Sequence, residues 1–297
     1  MPVTLAFNRV MPEPPAPIGS AWSLSHQVHH RTERLRGASV PVTEWAGGGD
    51  EFDPTVILLP GLLGQNRHWA RTALGLRGAS RCVGLEIPYT ELSTANCSIE
   101  GTTAMAAEYL DRHVPGPVVV VGNSVGGHVA ARLAMLRPWR VKGLVLAGAG
   151  GLHERQPTGE VVTTPSRQWL RERFGCMFHK PEIHVTEEEL DRALAMFANR
   201  SCTRAFIRMA RSSRDDQLED ALPSLTCPTL LVWGENDIIT PEESALAFHR
   251  GIRNSRLRWL ESCGHAPMIE RPERLACMIE SFIESIQSGD TSEDPLA

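Results

Sequence analysis

The stretch Gly122-Asn123-Ser124-Val125-Gly126-Gly127 decides the fold of this 297-residue chain. Four valines at 118–121 precede it and predict a buried strand, whereas the apolar residues after it recur at helical spacing. A tight turn from strand to helix leaves little room, and glycines flank Ser124 on both sides. Such a turn presents the Ser124 hydroxyl at a helix N-terminus, where backbone N–H groups stabilise an oxyanion. The pattern favours a nucleophilic serine over one that only caps the helix.

Two later loops hold the partners that a nucleophilic serine requires. The apolar residues 228–233 predict a strand that Asp237 follows, and residues 257–260 predict another strand that His265 follows. Ser124, Asp237 and His265 thus all lie beyond the carboxyl ends of strands, the edge at which an open parallel sheet binds ligands. Each also has an ordinary interpretation, Asp237 as a turn former and His265 as a surface or core residue. Their joint placement favours a nucleophile with an acid and a base.

The chain order serine, aspartate, histidine is the order of the α/β-hydrolases, and residues 40–286 resemble an α/β-hydrolase-fold serine hydrolase. The resemblance implies an α/β fold, namely a mostly parallel sheet covered by helices on both faces, with an inserted helical cap. It also implies a catalytic triad of Ser124, Asp237 and His265. Within the superfamily, the chain is similar to capped carboxylesterases and to the carbon–carbon bond hydrolases of meta-cleavage products.

The loop after the predicted strand 55–59 resembles the oxyanion loop of that superfamily. It consists of Pro60-Gly61-Leu62-Leu63-Gly64, where relatives usually have His-Gly-x-x-Gly. Carried over residue by residue, the backbone N–H groups of Leu62 and Val125 are the expected oxyanion donors. Pro60 replaces the usual histidine, which alters the support of the loop and not the donor itself. The alternative is an ordinary turn at the end of a strand.

Composition argues against several other classes of protein. The formal net charge is −5 and the isoelectric point is near 6.1, without a basic stripe that would bind nucleic acid. Seven cysteines without a Cys-x-x-Cys pair predict neither a disulfide framework nor a zinc site. No run of about 18 apolar residues predicts a membrane span, and residues 1–17 do not resemble a signal peptide, so we expect a cytoplasmic protein without a membrane partner. The resemblance implies a small-molecule substrate and no metal or organic cofactor, and the oligomeric state, monomer or dimer, stays open.

The predicted strands and helices divide the chain into four parts. Residues 1–25 are predicted to be irregular, and residues 26–150 and 223–286 form the predicted α/β-hydrolase core. Residues 151–222 contain helical patterns without a convincing strand and are the predicted cap. The polar residues 287–297 are a predicted flexible tail. An insertion beyond the carboxyl edge of a sheet commonly shapes the substrate pocket.

Three local patterns make further predictions. Thr240 and Glu243 predict a capping box for a helix with Pro241 at its first position. The apolar stripe of the predicted cap helix 186–199 is expected to pack on the core. His128, one turn after the nucleophile, is expected to pack in the interior and not to relay protons.

The candidate pocket residues are Asn66, Asn123, Trp169 and Phe178. Asn66 follows the oxyanion loop, where a polar residue more often faces water. Trp169 and Phe178 are aromatic cap residues, which favour an apolar acyl or aryl group. The same region is basic, with His153, Arg155, Arg167, Arg171 and Arg173. These residues suit a carboxylate on the substrate, or they only solubilise exposed helix faces.

Together these patterns predict a hydrolase that cleaves an ester or similar acyl bond of a small, largely apolar substrate through an acyl-enzyme. A carbon–carbon bond hydrolase is the nearest alternative, because many such enzymes have an asparagine before the nucleophile, as Asn123 is here. They typically have tryptophan after the catalytic histidine, where this chain has Ala266, and a cap arginine that only Arg192 loosely matches. An acyltransferase would use the same residues. Outside enzymes, the alternative is a ligand receptor on a hydrolase scaffold.

Overall fold

The computed structural model describes residues 28–46, 49, 53–76, 79, 81–156 and 163–289. The predicted irregular segment 1–25 and residues 290–297 of the predicted tail lie outside the described residues. Residues 287 and 288, the start of the predicted flexible tail, belong to the last helix, which ends at Ser288.

The strands are β1 (Val28–Leu35), β2 (Ala38–Ala46), β3 (Thr55–Leu59), β4 (Arg81–Leu85), β5 (Val118–Ser124), β6 (Val141–Ala149), β7 (Thr229–Gly234) and β8 (Ser255–Leu260). They pair in the order β1-β2-β4-β3-β5-β6-β7-β8. β1 and β2 form an antiparallel hairpin and β2 is antiparallel to β4, whereas β3 to β8 run parallel to one another. β3 and β7 are buried along their whole length, as expected of parallel strands covered on both faces.

The helices are α1 (Ala70–Gly75), α2 (Ile99–His113), α3 (Val125–Leu136), α4 (Arg167–Gly175), α5 (Pro181–His184), α6 (Glu187–Ala198), α7 (Arg200–Asp215), α8 (Glu242–Gly251), α9 (Pro267–Glu270) and α10 (Pro272–Ser288). Short 3₁₀ turns occur at Asn66–Trp69 and Glu219–Ser224. One hydrophobic core joins the sheet to α2, α3 and α8, and a second joins it to α1 and α10. The predicted fold, a mostly parallel sheet between two layers of helices, is confirmed.

Helices α4 to α7 lie between β6 and β7, where the sequence predicted a helical insertion. Leu190 and Phe197 of the α6 stripe are buried mainly against α4 and α7, and Leu62 of the predicted oxyanion loop packs against this cluster. The expectation that the stripe packs on the core is therefore wrong in its main part, because the apolar faces of α4, α6 and α7 cover one another. His128 is fully buried in α3, and its Nδ1 lies 3.3 Å from Oγ of Ser213 in α7.

The start of α8 differs from the prediction. The helix begins at Glu242 with Pro241 as its N-cap residue, and no side chain caps it. The predicted Thr240–Glu243 capping box is wrong, because the Thr240 hydroxyl donates to the Asp237 carboxylate instead. Within the described part of the chain, no helix has both the length and the apolar character needed to cross a membrane.

Candidate active site

Ser124 lies on the sharp turn between β5 and α3, in a strained backbone conformation with φ 54° and ψ −125°. A Cβ atom on Gly122 would lie 2.3 Å from the carbonyl oxygen of Gly126. A Cβ atom on Gly126 would lie 2.1 Å from the carbonyl oxygen of Leu59. Only glycine fits at either position. The crowded turn therefore holds Ser124 at the N-terminus of α3, as an elbow for a nucleophile requires.

Asp237 and His265 come from the loops after β7 and β8 and lie in direct contact. Nδ1 of His265 is 2.8 Å from Oδ2 of Asp237, and both residues are buried, with 2% and 6% of their surface exposed. The other carboxylate oxygen, Oδ1, accepts the backbone N–H groups of Ile239 and Thr240, each at 2.9 Å. A carboxylate only accepts hydrogen bonds, so Nδ1 of His265 is the donor and Nε2 carries the free lone pair.

The pKa of His265 lies above its ordinary value of 6.5. Burial lowers the pKa of this imidazole, but the charge of Asp237 and the hydrogen bond to it raise the pKa by more. The charge of Glu154 raises the pKa further, and the charge of Arg173 lowers it. The imidazole is therefore a stronger base than an ordinary histidine.

The backbone of His265 is held from two sides. Its carbonyl oxygen accepts a hydrogen bond from Nδ2 of Asn123 at 2.9 Å, and its N–H donates to the carbonyl oxygen of Met177 at 2.8 Å. Nδ2 of Asn123 also donates to the carbonyl oxygen of Ala147 at 2.8 Å. Asn123, a predicted pocket residue, thus uses its amide nitrogen to join the serine strand to the histidine loop.

Glu270 of α9 connects the predicted cap to the same histidine loop. Its Oε1 accepts the N–H of Gly264 at 2.7 Å, and its Oε2 accepts the N–H of His179 at 2.8 Å. The segment before α5, which contains His179, is therefore fixed beside the loop of His265.

The predicted oxyanion loop, residues 60–64, passes close to Ser124. A Cβ atom on Gly61 would lie 3.1 Å from Cβ of Ser124. Leu62 and Val125, the predicted oxyanion donors, both line the same cavity as Ser124. The structure thus places both predicted donor residues beside Ser124 in the lining of one cavity.

Tyr89 supports this loop at the position where Pro60 replaces the usual histidine. The Tyr89 hydroxyl donates to the carbonyl oxygen of Pro60 at 3.3 Å, and the tyrosine is buried. This contact gives the loop a support that the sequence pattern alone did not reveal.

A cavity of about 730 Å³ adjoins Ser124 and His265 between the sheet edge and helices α4 to α7. This volume is typical of sites for small molecules. Its aromatic walls come from the predicted cap, with Trp169, Phe174, Phe178, Phe197 and Phe206. Trp169, Phe178 and Asn123, three of the predicted pocket residues, line this cavity.

Asn66 does not line the cavity, so its prediction as a pocket residue is wrong. Only 3% of the residue is exposed, and its side chain points toward β2 and β4. Nδ2 of Asn66 donates to the carbonyl oxygen of Gly84 at 3.0 Å and to Oγ1 of Thr43 at 3.2 Å. These hydrogen bonds hold two neighbouring strands together and leave the amide no role in the pocket.

Two arginines of the predicted cap differ in whether they line the cavity. Arg192 is outside the cavity lining and donates to Glu188 at 2.8 Å and to Glu189 at 3.1 Å. Arg173 of α4 lines the cavity, and its charge acts on His265. Arg173 therefore lines the cavity, as Arg67, Arg155 and Arg214 also do, whereas the Arg192 that loosely matches the carbon–carbon bond hydrolases does not.

Sequence reasoning missed two residues that contact the Asp237–His265 pair. Gly148 has φ 55°, and a Cβ atom there would lie 3.0 Å from Oδ2 of Asp237. Thr240 is fully buried and its hydroxyl donates to the same oxygen at 2.8 Å. In the sequence, Gly148 is a glycine near the end of a predicted strand and Thr240 is a hydroxyl residue three positions after Asp237. Neither pattern is specific enough to predict a contact with the pair.

Glu154, after β6, is a third residue that the sequence did not single out. It lines the cavity, and its Oε1 accepts the N–H of Gly151 at 2.8 Å and lies 3.4 Å from Oγ of Ser213. The site therefore contains a second carboxylate whose charge acts on His265.

Comparisons with known proteins agree with this geometry. A family model described as the alpha/beta hydrolase family matches residues 56–276. The chain is 23% identical over 269 residues to monoacylglycerol lipase ABHD6 of Mus musculus, covering 81% of this chain and 78% of that protein. It is 29% identical over 173 residues to a 2-hydroxymuconate semialdehyde hydrolase of Pseudomonas putida, covering 55% of this chain and 61% of that protein.

Among solved structures, the fold is similar to that of a serine hydrolase from the polyaromatic-hydrocarbon-degrading bacterium Cycloclasticus zankles. The TM-score is 0.74 at 21% identity, and the match covers 88% of this chain and 99% of that one. At this level of identity the likeness concerns the fold alone.

Proposed function

Because this chain belongs to the alpha/beta hydrolase family, we propose that it hydrolyses an ester or similar acyl bond of a small, largely apolar substrate. One observation carries the proposal. Ser124 on its strained turn and His265, paired with Asp237, line a single cavity whose walls are mainly apolar and include five aromatic side chains. An activated hydroxyl beside an apolar pocket is what acyl transfer from such a substrate requires.

In this proposal, Oγ of Ser124 attacks the carbonyl carbon of the ester while Nε2 of His265 accepts the hydroxyl proton. The carbon–oxygen bond to the alcohol then breaks, and His265 returns the proton to the leaving oxygen. Water then attacks the carbonyl carbon of the acyl-enzyme and gives one proton to His265. The bond from that carbon to Oγ of Ser124 breaks, His265 passes its proton to Oγ, and the carboxylic acid and the free serine are released. The N–H groups of Leu62 and Val125 stabilise the oxyanion in both steps, and losing such a donor costs on the order of 10² to 10³ in rate.

The test uses the full chain and p-nitrophenyl esters from acetate to octanoate. We expect saturable hydrolysis that Ser124→Ala abolishes without a change in melting temperature, because the hydroxyl contributes little to packing. Ser39→Ala, an exposed serine on β2, is the matched control and should be fully active. Absence of turnover with every ester, or full activity of Ser124→Ala, would contradict the proposal.

A carbon–carbon bond hydrolase is the second candidate, and Arg173 is the observation that favours it. This arginine lines the cavity close enough for its charge to act on His265. A guanidinium binds carboxylates well, and a ring-fission dienoate carries one. Glu154 lines the same cavity and disfavours an anion there. Comparing kcat/KM for a neutral ester and a dienoate of similar size decides between the two candidates.

A further inference from the structure

We infer that Thr240 is a positioning residue for the catalytic base. Its hydroxyl holds the Asp237 carboxylate in place and weakens the electrostatic stabilisation that this carboxylate gives to protonated His265. The inference rests on the proposed function, in which His265 is the base and Asp237 orients it. Thr240 is 0% exposed, and its Oγ1 lies 2.8 Å from Oδ2 of Asp237 and 3.3 Å from Nδ1 of His265.

The available protons decide how these three groups share their hydrogen bonds. The carboxylate of Asp237 only accepts, and its Oδ1 already receives two backbone N–H groups. Oδ2 receives both the Thr240 hydroxyl and Nδ1–H of His265. The hydroxyl has one proton, which it gives to Oδ2, so its oxygen faces Nδ1–H only as an acceptor. This arrangement favours the imidazole tautomer that leaves Nε2 free to accept a proton.

The loop that carries Thr240 is anchored on β7. The carbonyl oxygen of Thr240 accepts Nε1–H of Trp233 at 2.8 Å, and Trp233 is fully buried in that strand. At the other end of the loop, the N–H of Asp237 donates to the carbonyl oxygen of Gly234 at 3.1 Å. The hydroxyl is also not needed by α8, which begins at Glu242 without a side-chain cap. Its contact with the carboxylate is therefore its main role.

Three charged groups act on His265: Asp237 after β7, Glu154 after β6 and Arg173 on α4. Of these, Asp237 raises the pKa of the imidazole most. A hydroxyl that donates to Oδ2 takes up part of the negative charge that would otherwise stabilise the imidazolium. Removing the Thr240 hydroxyl should therefore raise the pKa of His265, so that a higher pH is needed to form the neutral base.

The test compares Thr240→Val, which keeps the shape and loses the hydroxyl, with Thr240→Ser, which keeps the hydroxyl. For the valine variant, we expect the acid limb of kcat/KM against pH to move to higher pH. At the plateau, kcat/KM should fall about tenfold, or ~1.4 kcal/mol, the size of one hydrogen bond to a charged group. The serine variant should restore the wild-type limb. Thr72→Val is the control, because Thr72 is equally buried and its hydroxyl has no partner among the described residues.

An acid limb in Thr240→Val that coincides with the wild type overturns the inference, and so does a serine variant that behaves like valine. If melting shows that the valine variant does not fold, Thr240→Ala takes its place. NMR titration of the His265 imidazole measures the same pKa without turnover. A wild type that hydrolyses no ester would therefore contradict the proposed function, while the NMR comparison would still decide the role of Thr240.

Discussion

Asp237→Asn should remove most of the activity, and the hydrogen bonds of the carboxylate explain why. The backbone N–H groups of Ile239 and Thr240 require an acceptor at the Oδ1 position. The new amide nitrogen must then occupy the Oδ2 position, 2.8 Å from Nδ1 of His265. Because an amide nitrogen donates, Nδ1 has to accept, and the imidazole proton moves to Nε2. That tautomer cannot accept the proton of Ser124.

The size of the expected fall in kcat follows from the two orientations that the asparagine amide can adopt. The wrong tautomer costs about 10⁴ in kcat in a serine protease, or ~5.4 kcal/mol. Flipping the amide restores the tautomer but leaves two buried N–H donors without an acceptor, at roughly 1–3 kcal/mol each. Both routes are costly, so we expect kcat to fall on the order of 10³ to 10⁴.

The assay is steady-state hydrolysis of a p-nitrophenyl ester, with KM little changed because Asp237 does not line the cavity. Glu235→Gln, an exposed acid on the same loop, is the matched control and should have wild-type kcat. A melting curve verifies that each variant is folded. A kcat of Asp237→Asn within tenfold of the wild type would refute the reasoning and direct attention to Glu154, the second carboxylate that acts on His265.

Three further predictions concern pH, packing and substrate charge. For a neutral ester, kcat/KM should rise with pH through one ionisation, because the neutral form of His265 is the base. The midpoint should lie above 6.5, the ordinary pKa of a histidine, because the pKa of His265 is raised. Glu154→Gln removes a negative charge that acts on this imidazole and should therefore move the midpoint to lower pH. Gly148→Ala should lower kcat about 100-fold, because its Cβ would lie 3.0 Å from the orienting carboxylate and displace it. Arg173→Ala should reduce the preference for a carboxylate-bearing ester about 10- to 100-fold, whereas Arg192→Ala should not, because two glutamates already bind Arg192.

Each of these predictions has an outcome that contradicts it. An unmoved pH profile in the glutamine variant would show that Glu154 does not act on the base. Gly37→Ala is the control for the glycine prediction, since Gly37 has φ 81° with no atom near its Cβ position, and it should lower stability but not kcat. Equal effects on substrate preference of the two arginine variants would contradict the placement of Arg173.

The elements that carry the site could be predicted because their signals are local. The apolar runs before Ser124, Asp237 and His265 are long enough to identify buried strands, and parallel strands bring their carboxyl ends to one edge. The glycines around Ser124 predicted a crowded turn, and the structure has one. The roles of the three residues stay predictions, but their placement required only the order of strands and loops.

The residues that were missed or misplaced depend on contacts between separate loops. Gly148 and Thr240 matter because of the Asp237–His265 pair, which forms only when β6, β7 and β8 are side by side. Asn66 was misplaced because a loop sequence does not show whether a side chain faces the cavity or the sheet.

The ion pairs of Arg192 are different, because the residues that precede it in the sequence could have predicted them. Glu188 and Glu189 lie four and three residues before it, the spacing at which ion pairs form along a helix. That spacing predicts an arginine already engaged on α6 and not one that faces a substrate.

The most direct test of the central claim, that Ser124 is the nucleophile, is covalent labelling with a fluorophosphonate. Intact-mass measurement of the full chain should show a single adduct, and peptide mapping should place it on Ser124. Ser124→Ala should take up no label, and Asp237→Asn should react far more slowly. An adduct on another serine, or no adduct in a folded and ester-cleaving wild type, would contradict the account.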